Sequence, residues 1–345
     1  MRIVHAVRSD GFAGVERHVA RLAQAQAAHG HDVVVVGGDP DRMRAALGES
    51  RVLVLPAATV LDVIARVRHA ARGADVVHAH MTAAEIGATV AAWSGGTSTL
   101  TVPLVTTRHF ARARGTGGLR GLTAAVARSR VRAQIAISTY VADRVDGSSV
   151  VVHAGVDVRP DAVPAVERRR TVLVVQRLEQ EKATDIALRA FASSGLGGTG
   201  WTLEVAGDGA QRRALETLAD ALGVARSVRF LGASDDVVTL MSRSALLLAP
   251  CPVEGLGLSV LEAMACGLPV VASAAGGHLE TVGVRGQDAM FPPGDFATAG
   301  AVLGALAADE HRRDALARAG QDRQRTAFTL DAQVRQTDEI YRGVQ

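Results

Sequence analysis

Two apolar patterns alternate along this chain of 345 residues. Short runs that are almost wholly apolar, such as Val33-Val34-Val35-Val36, alternate with longer segments in which apolar residues return every three or four positions, as in Val15, Val19, Leu22 and Ala23. The first pattern fits a strand buried on both faces, the second one face of a helix. Strands are predicted at 2–7, 32–36, 76–79, 104–107, 134–137 and 150–153, then at 171–175, 201–206, 228–231, 245–249 and 270–273. Helices are predicted at 14–29, 62–71, 83–93 and 119–129, then at 184–192, 211–222, 237–243 and 259–265, with a helical tail after Pro292-Pro293-Gly294. Strands alternating with helices build parallel sheets. The alternation is interrupted once, at 158–170, where two prolines and the run Glu167-Arg-Arg-Arg170 have the composition of a linker. The expected class is therefore α/β: two doubly wound Rossmann-like domains facing each other across a cleft. Ligands would bind there at the carboxyl ends of the strands.

Composition narrows what such a protein can do. Apolar residues are 48% and charged residues 21%, an ordinary globular balance that excludes a disordered or collagen-like chain. Aromatics are 3% and the net charge is +3, which argues against nucleic-acid binding. Cys251 and Cys266 are too few for a disulfide framework and have no metal-ligand spacing, so a cytoplasmic location is expected. No apolar run reaches the roughly 18 residues of a membrane span, and charge enters the N-terminus too early for a signal peptide. Residues 1–163 carry 19 arginines against 13 acids, whereas 164–345 carry 19 basic residues against 22 acids. The basic half could meet an anionic partner, but at this magnitude a solvated surface is the simpler reading. Of 38 basic residues only Lys182 is a lysine. That bias fits a GC-rich, actinobacterial-like source and hints that position 182 wants a compact ammonium.

The most informative stretch is Pro250–Ser273. An apolar strand ends in a proline turn, and a loop with Gly255 and Gly257 opens a helix that stops at Gly267. Free N–H groups at such a helix start can hold an anion. Glu262, further along the helix, can accept from the vicinal hydroxyls of a ribose, and Glu254 could touch the group attached to the phosphates. Simple helix capping by Glu254 and plain exposure of Glu262 remain open on these residues alone.

This Glu-x7-Glu pattern resembles that of the retaining glycosyltransferases of family GT4, which have the GT-B fold. Further segments match in order: Val174-Val-Gln-Arg177-Leu-Glu-Gln-Glu-Lys182, Leu203-Glu-Val-Ala-Gly207-Asp208-Gly209, Val228-Arg-Phe-Leu-Gly232, Ala275-Gly-Gly-His-Leu-Glu280 and Val152-His-Ala-Gly155-Val-Asp157. In the first half, Gly11-Phe-Ala-Gly14-Val-Glu16-Arg17-His18 resembles the family's glycine loop, and Thr107-Arg108-His109 its Thr-x-His. The resemblance implies an acceptor-binding domain at 1–160, with a helix at about 327–345 packing back on it, and a donor-binding domain at 168–326. It implies that Arg177 and Lys182 hold the donor diphosphate, that Glu254 binds hydroxyls of the donor sugar, and that His109 meets the sugar near its reacting carbon. Gly14, Gly207, Asp208, Gly255, Leu256, Gly257, Leu258 and Glu262 would complete the donor site. Glu16, His80 and Arg108 are candidates for the acceptor side. The chain departs from the pattern at Ala13, Gln176, Ala183, Pro252 and Val253, and none of these changes removes a charge.

The implied reaction moves a sugar, with retention, from a UDP- or GDP-linked donor to a hydroxyl. The departing phosphate oxygen takes the acceptor proton, and neither cofactor nor metal is needed. A small soluble metabolite or natural product is the favoured acceptor, with a lipid-linked or cell-envelope acceptor as the alternative. A sugar-nucleotide epimerase of the same fold and a non-catalytic sugar-nucleotide-binding protein are the competing classes. A monomer or homodimer is expected. Asp39-Pro40-Asp41 spells a metal-binding Asp-x-Asp but reads as a surface turn. Gly115–Gly121 reads as a loop over the acceptor. Arg112, Arg114, Arg120, Arg128, Arg130 and Arg132 form a basic stretch that could touch anionic lipid, but few bulky apolar residues accompany them, so membrane contact is not favoured.

Overall fold

The computed structural model describes residues 1–9, 11–94, 102–115, 118–234 and 236–345, with the side chains of 94 and 118–120 outside that description. The chain divides into two compact units, Met1–Gly155 with Leu330–Gln345, and Val156–Thr329. In the first, the order is β1 (Arg2–Val7), α1 (Gly14–Ala28), β2 (Asp32–Val36), α2 (Pro40–Leu47), β3 (Leu53–Leu55), α3 (Val60–Ala70), β4 (Val76–His80), α4 (Thr82–Ser94), β5 (Leu104–Arg108), α5 (Gly118–Arg128), β6 (Val131–Ala136), α6 (Thr139–Ala142) and β7 (Val150–Val151). The second unit follows with β8 (Arg169–Val175), α7 (Thr184–Ser193), β9 (Thr202–Ala206), α8 (Arg212–Ala221), β10 (Val228–Gly232), α9 (Val237–Arg243), β11 (Ser244–Ala249), α10 (Leu258–Ala265), β12 (Val270–Ser273), α11 (His278–Thr281), β13 (Met290–Phe291), α12 (Phe296–Ala308) and α13 (Glu310–Ala327). The last helix, α14 (Leu330–Val344), returns to the first unit.

Each unit is a doubly wound parallel sheet, as the alternation of strands and helices predicts. Among the described residues the first sheet runs β3-β2-β1-β4-β5-β6-β7 and the second β10-β9-β8-β11-β12-β13. The order reverses between β1 and β4 in one and between β8 and β11 in the other, and ligands favour the carboxyl ends of strands at such points. The strands carry their apolar runs into dry cores. Val4, Ala6, Val34, Val36 and Val77 pack under α3 and α4 in the first unit. Val172, Val174, Leu203 and Leu246 pack with Phe191 of α7 and Leu303 of α12 in the second. No helix among the described residues is long and apolar enough to cross a membrane.

The sequence reading needs correction in several places. Asp39-Pro40-Asp41 is not a free turn: Asp39 caps α2, accepting from the Asp41 and Arg42 N–H groups at 3.1 and 2.9 Å, and Pro40 takes the first helical position. Helix α2 and the three-residue β3 were not predicted. Of the loop read at Gly115–Gly121, residues 116–117 lie outside the described ones, and α5 begins at Gly118. In the presumed linker, Arg168 is buried rather than solvated. Its guanidinium donates to the carbonyls of Val163, Met241, Ser244, Cys266 and Gly267 at 2.9–3.1 Å, so every N–H meets an oxygen although no carboxylate pairs with it. Arg114, placed above in a basic surface stretch, is 1% exposed, with its fork on Glu85 and further bonds to Asp146 and Gln134.

Candidate functional site

In the second unit, four loops meet at the carboxyl ends of β8, β9, β11 and β12. After β8 the chain turns over Gln176–Leu178. The loop after β9 interlocks with it: Leu178 donates to the Asp208 carbonyl at 2.9 Å and Gln176 to that of Ala206 at 3.1 Å. Gly207 has φ 144°, and a Cβ there would lie 1.8 Å from the Gln176 carbonyl oxygen, so only glycine permits this approach. Gln176, which stands where the family has a glycine, has a purpose in the structure. Its amide nitrogen donates to the Lys182 carbonyl at 2.9 Å and to the Thr184 hydroxyl at 2.8 Å, tying the turn that carries Lys182 to the strand end.

That turn presents Lys182 to Glu254, with Nζ and Oε2 2.6 Å apart. Both side chains keep some exposure, 17% and 24%. Burial pushes the Glu254 carboxyl up, but the ammonium beside it outweighs burial and holds it below the usual carboxylate range. Glu254 precedes α10, whose N-cap Gly257 has φ 92° and supplies no side-chain cap. The first N–H groups of α10 therefore receive no side-chain cap, and such groups are able to hold an anion. The following loop is packed against this one: Gly277 donates to the Glu254 carbonyl at 2.9 Å, and a Cβ on Gly277 would lie 2.4 Å from the Leu256 Cα. His278, behind Gly257, faces the Ser273 carbonyl with Nδ1 at 3.2 Å. Burial lowers its pKa, and the nearby Glu254 charge offsets only part of that. Ala183, after Lys182, has φ 52°, a left-handed conformation rarely adopted by a residue with a side chain.

The first unit gathers histidines instead of charges. Register places His5 of β1 beside His78 of β4 and Val7 beside His80. His80 in turn lies beside Thr107 of β5, and His109 follows that strand. His5 Nε2 lies 2.7 Å from Gln26 Oε1, His5 Nδ1 3.0 Å from His80 Nε2, and His80 Nδ1 3.1 Å from His109 Nε2. His78 bonds the Tyr341 hydroxyl and the Thr107 hydroxyl, each at 2.6 Å. His18 stands edge-on to His109, ring centres 4.8 Å apart. Burial drives all five imidazoles below their ordinary pKa, His5 to about 4 and His109 to about 3. They are neutral at pH 7. The nitrogens of His5, His78 and His80, and of His18, His80 and His109, lie within 4.8 Å of one another, close enough to raise the question of a metal. Both nitrogens of His5, His78 and His80 are already in hydrogen bonds, so an ion in either triad would have to break the chain.

The remaining sequence candidates fall into place around these two centres. Arg177 is exposed and reaches Glu181 at 3.3 Å. Asp208 is exposed, and Glu262 is half-buried on α10. Gly255, Leu256 and Leu258 line the entry to α10, whose first residue is Leu258. Gly14 starts α1 and is exposed. Glu16 is buried, and its carboxylate accepts from the Ala13 N–H at 2.8 Å, closing the turn before α1. Arg108 is 6% exposed and holds the Arg112 carbonyl and Asp146. His80 is an interior link of the histidine chain. Sequence reasoning did not single out His278, Gln26, Tyr341 or Gln333. The spacing of His78 and His80 on one face of a strand was a usable signal, but nothing local pointed to Tyr341, which is 263 residues from its partner.

Comparison with known proteins begins with the fold. The crystal structure of the Anabaena HepE protein in complex with UDP-glucose superposes with a TM-score of 0.80 over 99% of this chain and 100% of that one, at 21% identity. The fold is GT-B. The description "Glycosyltransferase Family 4" matches residues 12–159 and "Glycosyl transferases group 1" matches 158–323. The chain belongs to the family 4 glycosyltransferases. A Streptomyces fradiae 2-deoxystreptamine N-acetyl-D-glucosaminyltransferase is 34% identical over 170 residues, 45% of this chain and 40% of that protein. A Streptomyces coelicolor exopolysaccharide phosphotransferase is 32% identical over 194 residues, 53% of this chain and 20% of that protein. The chain thus spans a fifth to two fifths of the length of these two curated relatives.

Proposed function

We propose that this protein transfers a sugar from a nucleotide-diphosphate donor to an acceptor hydroxyl, with retention at the anomeric carbon. The observation that carries the reading is the Lys182–Glu254 pair at the open start of α10. An ammonium and a set of free N–H groups can take a diphosphate, and a carboxylate beside them can take sugar hydroxyls. Lys182 and Arg177 would neutralise the leaving diphosphate, and Glu262 would hold the ribose. Gly14, Gly207, Asp208 and the segment Gly255–Leu258 would border the nucleotide. His109 would accept from, or donate to, the transferred sugar. In the step itself the bond from the anomeric carbon to the diphosphate oxygen breaks. The acceptor oxygen bonds the same carbon on the same face, and its proton passes to the departing phosphate oxygen. No separate base and no metal is required.

UDP and GDP are the proposed donor nucleotides, and the UDP-glucose complex of the Anabaena protein supports UDP. The Streptomyces fradiae relative, a 2-deoxystreptamine N-acetyl-D-glucosaminyltransferase, supports a small soluble metabolite or natural product as the acceptor. The enzyme is proposed to work in the cytoplasm as a monomer or homodimer. The test is a thermal-shift panel of UDP, GDP, ADP and dTDP with chelator present, followed by NMR of the product anomer. Ligand binding to the native state raises the melting temperature. A rise with one nucleotide, and a product anomer matching the donor, is expected. No response to any nucleotide overturns the donor site, and an inverted anomer overturns the mechanism.

A further inference from the structure

We infer that the Gln26 carboxamide sets the direction of the buried histidine chain and so fixes His109 as the Nε2–H form, leaving Nδ1 as a hydrogen-bond acceptor. The functional meaning of this rests on the proposed contact between His109 and the sugar, but the tautomer itself is a property of the unliganded chain.

A neutral imidazole has one donor nitrogen and one acceptor. Gln26 Oε1 can only accept, so its partner His5 Nε2 carries the hydrogen across the 2.7 Å contact. His5 Nδ1 then accepts, and His80 Nε2 donates to it at 3.0 Å. His80 Nδ1 accepts in turn, and His109 Nε2 donates at 3.1 Å. The same amide turns its NH2 toward the Tyr341 hydroxyl at 3.5 Å. The phenol hydrogen is then free for His78 Nδ1, and His78 Nε2 donates to Thr107. Every link joins one donor to one acceptor. A half-turn of the Gln26 amide would reverse the whole set, so one side chain of α1 governs an imidazole two rings away. Gln26 is a positioning residue. His18 has its own anchor: Gln333 Oε1 accepts from the Gly155 N–H at 2.8 Å, which turns the Gln333 NH2 toward His18 Nε2 at 3.2 Å. An imidazole that offers a lone pair suits a hydroxyl donor and disfavours an anion, so the arrangement selects for an uncharged, hydroxylated ligand at His109.

The experiment is a two-bond proton–nitrogen correlation on the full chain labelled with 15N-histidine at pH 7, with His109 assigned by its loss in His109→Ala. The expected spectrum shows His109 protonated on Nε2 alone. Gln26→Leu should mix its two tautomers, and Gln26→Glu, which still accepts from His5, should restore the single form. Should Gln26→Leu fail to fold, Tyr341→Phe should alter the His78 signals while leaving His109 as Nε2–H. His109 protonated on Nδ1 in the wild type, or unmoved by Gln26→Leu, overturns the inference. Broadening of the His80 and His109 signals by one equivalent of Co²⁺ overturns it too, in favour of a metal site. Unchanged transfer kinetics in His109→Ala would instead remove the sugar contact and leave the tautomer result standing.

Discussion

The two units share one architecture but build their centres from opposite chemistry. The first hides its polar groups: five neutral histidines from the strands, from α1 and from the turn after β5 are buried, and the Arg114 side chain is enclosed with Glu85. The second keeps its charged pair, Lys182 and Glu254, on loops within reach of water. Groups that must meet a changing charge need access, whereas groups that set geometry gain from burial, because a low dielectric strengthens every bond they make. The comparison implies that damage to the first centre shows mainly in stability and damage to the second mainly in turnover.

The largest expected effect tests the buried side. Arg114→Met takes away the ion-pair partner of the buried Glu85, while Asp146 keeps Arg108, and should destabilise the first unit by about 3–5 kcal/mol, read by chemical denaturation. An effect below 1 kcal/mol would break the contrast. Next comes acid. Folded His5 and His109 titrate near pH 4 and 3, far below the unfolded value, so between those limits the unfolded chain binds more protons. Stability is therefore full above about pH 6.5 and falls as pH drops, by about 2–3 kcal/mol between pH 6 and 5 from these two residues. Melting temperature against pH checks the sign.

The exposed side should respond in rate. Lys182→Ala and Glu254→Ala should each cut transfer at least about tenfold, about 1.4 kcal/mol, with little change in melting temperature. Normal turnover in either variant removes the site assignment. Glu262→Ala should weaken nucleotide binding by about 1 kcal/mol, the worth of one hydrogen bond, as measured by calorimetry. The smallest effect is expected at Ala183. Its left-handed backbone costs about 1 kcal/mol, and Ala183→Gly should recover roughly half of that after the added chain entropy of glycine.

Much of the fold was legible because it is written locally. Apolar runs such as Val33–Val36 and the glycine punctuation around α10 carry their meaning within a few residues. Elements too short to show a period escaped: β3 has three residues and β13 two. The loops around α10 were readable because their candidate chemistry is consecutive in sequence, with Glu254, Gly257 and Glu262 inside nine positions. The histidine centre was not, since its members come from residues 5, 26, 78, 80, 109 and 341 and meet only through sheet register. Arg168 misled for a related reason: a charge run looks solvated until distant carbonyls close on one of its members.

The return of α14 to the first unit has a consequence for synthesis. Tyr341 closes a hydrogen-bond network begun at Gln26 and His78, yet the ribosome makes it only after the whole of Val156–Thr329. At about 5–20 residues per second the nascent first unit waits roughly ten to thirty seconds with its last helix missing. Over that interval the second unit can emerge and collapse while its elder neighbour is still incomplete. Such a chain is born in one order and finished in another.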